Sequence, residues 1–343
     1  MSIITSYMEW LYRLCGKSKR WKFIYTVNLW LYQHIKGGFL QVISCFRKDN
    51  KKSSPVKLFF YHGTRNFGDQ LNLDVMNCYG FDFSVTDLSH ANTVCIGSIL
   101  DYALKTDTKT LTYRTPLHVL GAGFIIEQEY ENEKFNRPVI IHALRGKLTL
   151  ARAEAMLGAK LPDVVLGDPG LLVRRIFPDI STEKKYDVGI ICHMKDVDSP
   201  FLKNIELSDR KIKMIDIFTP VKQFLEEMAS CSLILSSSLH GLICADSFGI
   251  PNKGIILSGN VEGRGYKFQD YYSVFDDVSY APVNLQREKI SASDIENFRK
   301  SYKDQNHKIS GICDRLEQVF KGYCATLENE NAENIKEKKN DKS

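Results

Sequence analysis

The sequence predicts an α/β protein of two tandem units, each a parallel sheet covered by helices. Three observations carry that class. Short apolar runs of strand length alternate with helix-length stretches between Lys57 and Leu257, as crossover connections between parallel strands require. The series restarts after a polar, aperiodic stretch at Pro178–Lys185. At 343 residues, with 43% hydrophobic and 25% charged side chains, the chain is long enough to bury two cores without staples. That composition excludes collagen-like, wholly disordered and multi-span membrane proteins.

In the first unit, strands are expected at Leu58–Tyr61, Thr93–Ile96, His118–Leu120 and Val139–His142, with helices at Asp69–Cys78 and Lys147–Leu157. Each strand ends in a glycine-containing or polar turn. The second unit holds strands at Val188–Cys192, Ile212–Ile217, Leu233–Leu235 and Gly254–Leu257, and helices at Val221–Ala229 and Gly241–Phe248. Beyond Asn284, Ser293-Asp294-Ile295-Glu296 has capping-box spacing. Ile295, Phe298 and Tyr302, then Ile309, Ile312, Leu316, Val319 and Phe320, recur at helical steps, so amphipathic helices close the fold. Residues 325–343 are mostly Glu, Asn and Lys, with too few apolar groups to offset the entropy of ordering, and disorder is expected there. The expected division is 1–53 as an extension, 54–182 and 183–285 as the two units, 286–324 as closing helices, and 325–343 as the tail.

Lys plus Arg number 46 against 41 Asp plus Glu, +5 in all, too little for a dedicated nucleic-acid binder. The excess is local: residues 1–52 hold ten basic and two acidic side chains, +8, leaving 5 − 8 = −3 for the rest. Trp10, Leu11, Tyr12 and Leu14 beside Lys17, Lys19, Arg20 and Lys22 suit a segment lying on an anionic membrane surface. A helical pair packed on the body is the competing reading. Phe23–Phe46 is too interrupted by polar residues and Gly37-Gly38 to span a bilayer. Nine cysteines, none in a Cys-x-x-Cys pair, frame neither a disulfide scaffold nor a zinc site. With no apolar secretory run near Met1, the expected location is cytoplasmic, peripheral on the inner membrane face and released by salt.

Three strand ends carry residues suited to chemistry. Tyr61–Gln70 contains Asn66, Gly68 and Asp69, where glycine allows a close approach and a helix N-terminus offers N–H groups to an anion; Asn66 and Asp69 equally read as turn residue and cap. Arg145, in Leu144-Arg145-Gly146, follows a strand and suits a carboxylate or phosphate, or else pairs with a surface Asp. Asp168, in Gly167-Asp168-Pro169-Gly170, either caps a turn or projects into an interdomain cleft. Ser236-Ser237-Ser238-Leu239-His240-Gly241 is the strongest signal: hydroxyls, N–H groups and an imidazole at a helix start make a phosphate cradle with a proton-transfer group. Glu262–Tyr272 adds Arg264, Lys267 and Tyr272 in a loop-like stretch, as anion and sugar contacts or as a solvated loop. His62, His142 and His193 also fall at expected strand ends.

Asn66-Phe67-Gly68-Asp69, Leu144-Arg145-Gly146, Gly167-Asp168-Pro169, Ser237-Ser238-Leu239-His240-Gly241 with Gly249-Ile250-Pro251, and Lys267-Phe268-Gln269-Asp270-Tyr271-Tyr272 together resemble the polysaccharide pyruvyl transferase family. The likeness runs from about Leu58 to Tyr272. It implies two Rossmann-like domains facing a cleft, as in B-type glycosyltransferases. It also implies transfer of the enolpyruvyl group of phosphoenolpyruvate to two hydroxyls of one glycan sugar, as a pyruvate ketal. Many members carry Arg two residues before the histidine, where this chain has Ser238. The cation is then expected from Arg145, Arg264 or Lys267.

On that reading His240 is the acid that protonates the methylene carbon, and Asp69 or Asp168 the base. Asn66, Gly68, Arg145, Ser236, Ser237, Ser238, Leu239, Gly241, Arg264, Lys267 and Tyr272 bind substrate. No metal and no cofactor is called for beyond the donor phosphoenolpyruvate. A helix N-terminus lowers the pKa of free His240 and bound phosphate raises it, so donor binding is expected to arm the acid. The acceptor is a glycan, expected on a lipid carrier. Two alternatives remain: a nucleotide-sugar glycosyltransferase of the same architecture, against which stands the lack of a convincing glutamate pair in the second unit, and a non-catalytic carbohydrate-binding member.

Overall fold

In a computed structural model of the protein, the described residues are 56–104, 116–127 and 133–340, with side chains to 327. The extension at 1–53 and its expected membrane contact lie outside them. The described residues belong to one compact unit.

That unit contains two parallel sheets. The first takes β1 (Val56–Phe59), β2 (Phe83–Val85), β3 (Thr93–Val94), β4 (Leu117–Leu120), β5 (Val139–Leu144) and β6 (Val165–Leu166) in the order β2-β1-β3-β4-β5-β6. The second takes β7 (Val188–Ile191), β8 (Ile212–Ile215), β9 (Ile234–Ser236), β10 (Asn252–Ile256) and β11 (Val283–Asn284) in the order β11-β10-β9-β7-β8. Counted from its own first strand, each sheet runs 2-1-3-4-5, the first with one strand more. Both therefore reverse direction of growth once, between β1 and β3 and between β7 and β9, and the carboxyl ends at such a reversal leave a crevice.

The expected strands in the centre of each sheet are present because they are buried apolar runs; all four residues of β4 and of β7 are buried. β2, β6 and β11 were not expected from the sequence. They are two- or three-residue edge strands at least partly open to solvent, with neither length nor apolar content to mark them.

The helices are α1 (Phe67–Cys78), α2 (Lys147–Leu157), α3 (Val173–Ile176), α4 (Val221–Ala229), α5 (Leu239–Ser247), α6 (Tyr266–Tyr272), α7 (Ala292–Ser301) and α8 (Asn306–Asn340). α7 is capped by Ser291 and Asp294, not by Ser293 and Glu296. Ile290 is held by backbone bonds to Asn204 and Glu206, so Ser291 is the first residue free to turn into a helix. α8 corrects the expected tail: it continues to Asn340, and Tyr323 and Leu327 are buried. The Tyr323 hydroxyl lies 2.6 Å from Thr93 Oγ1, which ties the closing helix to the first sheet.

One apolar core joins the sheets. It includes Val56 and Leu58 of the first and Ile191, Ile215 and Ile234 of the second. α1 packs on α4 with the Phe67 and Phe224 rings stacked, and Phe67 N–H donates to Ile217 C=O at 2.8 Å. No helix among the described residues is long and apolar enough to cross a membrane.

Candidate active site

A cavity opens where the two reversals meet. It is lined by residues after β1 (Tyr61, Asn66, Phe67, Asp69), β3 (Ser98, Ile99, Tyr102) and β4 (Ile125) of the first sheet. The second sheet adds residues after β7 (His193, Met194, Lys195), β8 (Ile217), β9 (Ser238, Leu239, His240) and β10 (Glu262, Lys267). Its volume is about 180 Å³, against the roughly 10–15 Å³ that one water needs.

His240 is the second residue of α5, half-buried against Gly68, where any Cβ would collide with the imidazole. Glycine at 68 is thus needed for the approach of α1 to this ring. His240 Nε2 is buried and has no hydrogen-bond partner among the described residues. Burial, then Lys267, Arg145 and His193, lower its pKa to about 3, so the free ring is neutral at pH 7. His193 is lowered to about 3 by burial, Lys267 and Lys195. Its Nδ1 accepts the Lys195 N–H at 3.2 Å, which puts the ring proton on Nε2.

Asn66 and Asp69 turn out to be both cap and lining. Asn66 Oδ1 accepts Asp69 N–H at 3.1 Å, and its amide donates to Asp69 Oδ2 at 2.5 Å. Burial, opposed by Asn66, Lys267 and His62, raises the Asp69 carboxyl to about 7. Lys267 is 7% exposed and lines the cavity, yet no hydrogen bond or ion pair holds its ammonium among the described residues. Burial and Arg145 lower its pKa to about 8. A buried, unpaired cation beside polar N–H groups is a site built for an anion.

Several expected site residues serve the framework instead. Arg145 is fully buried: Nε donates to Asp270 Oδ2 at 2.8 Å, and the other two arms to Ser98 Oγ and Phe124 C=O. It does not line the cavity, because burial obliged its guanidinium to pair within the protein. Asp168 is also fully buried, caps the turn at Gly170 and does not line the cavity; burial raises it to about 6. Ser236 and Ser237 do have packing roles: Ser236 Oγ accepts Ser238 N–H and donates to Ser238 C=O, and Ser237 Oγ accepts His193 N–H. Gly241 makes room for Ser236 and Ile191. Ser238 begins α5 without a side-chain cap bond and lines the cavity with Leu239. Arg264 is exposed, has positive φ and does not line it. Tyr272 bonds Asn252 Oδ1 at 3.2 Å and faces a separate pocket. His142 pairs with His118 beneath Tyr323, and His62 bonds Phe60 C=O.

The Glu262–Tyr272 stretch is not simply a loop. Gly263, Arg264 and Gly265 take left-handed backbone and then enter α6. A Cβ at Gly263 would strike Ile125 C=O, so only glycine lets this turn meet the first half. α6 then docks on α2, with Asp270 accepting Thr149 N–H and Oγ1–H at 2.8 and 2.7 Å. The carboxylate from the second half thus caps a helix of the first and neutralises Arg145.

A sequence profile described as polysaccharide pyruvyl transferase matches residues 18–255. The chain belongs to that family. The match begins before the motifs that suggested the family, inside the segment expected to lie outside it, and stops short of Lys267–Tyr272. A similar protein of Acanthamoeba polyphaga mimivirus, described as uncharacterized, is 34% identical over 188 residues, 52% of this chain and 63% of that one. The succinoglycan biosynthesis protein ExoV of Rhizobium meliloti is 24% identical over 228 residues, 64% of each chain. The chain spans under two thirds of the length of both relatives.

In this pyruvyl transferase family member, then, Ser238 shares the cavity with Lys267, which no hydrogen bond or ion pair holds among the described residues. His193, Lys195, Tyr61, Tyr102 and Ser98 were missed or weak in the sequence; only their shared position after strands of the two reversals marks them. Among the described residues no group of three or more His, Cys, Asp or Glu is placed to hold a metal ion.

Asp69 gives a stability prediction. Its folded pKa of about 7 exceeds the ordinary 3.8, so the folded state holds the proton more tightly. That contribution is complete below about pH 4 and is lost as pH rises towards 7. Asp69→Asn, which stays neutral, should melt close to the wild type near pH 4 and higher at pH 8, by on the order of a few kcal/mol. Thermal melts at the two pH values check this; a difference independent of pH contradicts it.

Proposed function

We propose that the protein moves the enolpyruvyl group of phosphoenolpyruvate onto two hydroxyls of one glycan sugar, forming a pyruvate ketal and phosphate. The observation that carries the reading is the buried, unpaired Lys267 ammonium in the same cavity as the unpartnered His240 Nε2. Family membership and the succinoglycan relative support it. So does the doubly wound order of both sheets, which fits two Rossmann-like halves arranged as in B-type glycosyltransferases.

Lys267, Ser238 and the first N–H groups of α5 hold the donor's anionic groups. Neutral His193 donates Nε2–H beside them. The protonation states favour the reverse of the roles expected from the sequence. Protonated Asp69 gives its proton to the methylene carbon, while neutral His240 takes the proton of the attacking sugar hydroxyl. A C2–O bond forms as C3 becomes a methyl group. Phosphate then leaves C2 with the ester electrons, the second hydroxyl adds to C2, and its proton departs with phosphate. Asp69 ionises near 7 and Lys267 near 8, so kcat/KM for the donor falls as pH rises across that interval.

Donor-dependent melting tests the assignment. At about 100 times Kd, a ligand bound only to the folded state adds about 2.7 kcal/mol, a rise of several degrees. Phosphoenolpyruvate should produce it and nucleotide sugars should not. A rise with nucleotide sugars alone favours a glycosyltransferase, and a rise with neither favours a non-catalytic glycan binder.

A further inference from the structure

The cavity also holds Tyr102, Lys195 and Glu262, which the donor reading does not use. Tyr102 lines it while remaining 51% exposed, so part of its side chain is open to solvent. The turn that carries it, Leu100–Ala103, is anchored rather than loose. Asp101 beside it accepts Ile125 N–H through one oxygen and the Arg152 guanidinium, at 2.9 Å, through the other. Arg152 is itself fully buried, pairs with Glu133 at 2.7 Å and lies 4.0 Å over the Phe124 ring. A buried arginine network thus fixes the residue next to an exposed tyrosine. Among the described residues Phe59 is the one ring that Tyr102 meets, edge to face at 6.4 Å.

Polar groups of the second half line the same space. Lys195 and Glu262, both partly exposed, form an ion pair there. The Tyr102 hydroxyl is held above its ordinary pKa by burial, then by Glu262, Tyr61, Asp101 and Asp69, so the phenol and Glu262 share one electrostatic neighbourhood. An aromatic ring in the same cavity as a carboxylate–ammonium pair matches a pyranose ring: its apolar C–H face stacks, and its hydroxyls both donate and accept.

We propose that Tyr102 is the platform on which the acceptor's pyranose ring stacks, with Lys195 and Glu262 reading its hydroxyls. The proposal rests on the pyruvyl-transfer reading for its reaction, though not for its binding. Tyr102 touches the acceptor itself and orients it so that two hydroxyls face the donor.

The test uses full-length protein with methyl galactoside, methyl glucoside and methyl mannoside. Saturation-transfer NMR reports binding, and phosphate release with phosphoenolpyruvate reports turnover. The wild type should show transfer to at least one glycoside, Tyr102→Ala should lose it, and Tyr102→Phe should keep it. In turnover, Tyr102→Ala should raise the acceptor KM about tenfold, equivalent to about 1.4 kcal/mol, with the donor KM and the donor-induced rise in melting temperature unchanged. No transfer to any glycoside in the wild type, equal transfer in Tyr102→Ala, or an equal loss of donor binding overturns the proposal. Glycoside binding through Tyr102 without any response to phosphoenolpyruvate would leave the platform standing and remove the donor reading.

Discussion

Replacing Lys267 with Met should weaken donor binding severely while leaving the fold intact. The ammonium is nearly buried and no carboxylate or carbonyl holds it among the described residues. The folded protein therefore bears the cost of a dehydrated charge that only a ligand can repay. An anion deprived of such a partner in a closed site loses about 3–5 kcal/mol, so kcat/KM for phosphoenolpyruvate should fall by roughly two to three and a half orders of magnitude. The variant's own melting temperature should be unchanged or higher. Lys267→Arg separates charge from shape. Lys267 loses its proton near pH 8, so donor binding by the wild type weakens above that pH, whereas a guanidinium stays charged. Donor-induced thermal shifts at pH 7 and pH 9 check both variants. A normal shift in Lys267→Met contradicts the assignment.

Asp270→Ala should damage the fold more than any other single change in the site region. This carboxylate is fully buried and takes three hydrogen bonds from the first half, one from Arg145 and two from Thr149. Removing it leaves a buried guanidinium without its counter-charge, a loss of about 3–5 kcal/mol, and an uncapped α2 besides. Urea unfolding should show the loss. Arg145→Met with Asp270→Met should be less destabilised than either single variant, because it removes both charges together. α6 carries Lys267 one turn before Asp270, so the single variant should also weaken donor binding. A loss below about 1 kcal/mol would show that the halves do not depend on this pair.

The fold was legible where burial and periodicity coincide. β4, β5, β7, α2 and α4 announce themselves because apolar residues fill a face or a run. β2, β6 and β11 do not, since edge strands of two or three residues are specified by their neighbours rather than by their own composition. α8 outlasted its expected end because a helix begun by packed residues such as Phe320 and Tyr323 propagates at little cost into a polar stretch rich in good helix formers.

The candidate site divided along a similar line. His240, Asp69, Asn66 and Ser238 were visible as polar residues at strand ends, and they meet in the cavity. Arg145 and Asp168 looked the same in sequence and serve the framework instead. What separates them is partnership: Arg145 meets Asp270, 125 residues away, whereas no hydrogen bond or ion pair among the described residues holds Lys267, three residues before Asp270. No local pattern encodes which cation is left unpaired. His193 was visible only as one of three strand-end histidines, since its place in the cavity depends on the second sheet reversing at β7.

The central claim is a ketal-forming transfer from an enol phosphate in this cavity. Incubating the purified full-length protein with phosphoenolpyruvate and a panel of lipid-linked and simple glycosides, while measuring phosphate release and product mass, tests it most directly. The account predicts equal amounts of phosphate and of a glycoside heavier by one pyruvate less one water, both absent in His240→Ala. Release of phosphate with no such product, or a glycoside enlarged by a second sugar from a nucleotide donor, would contradict it.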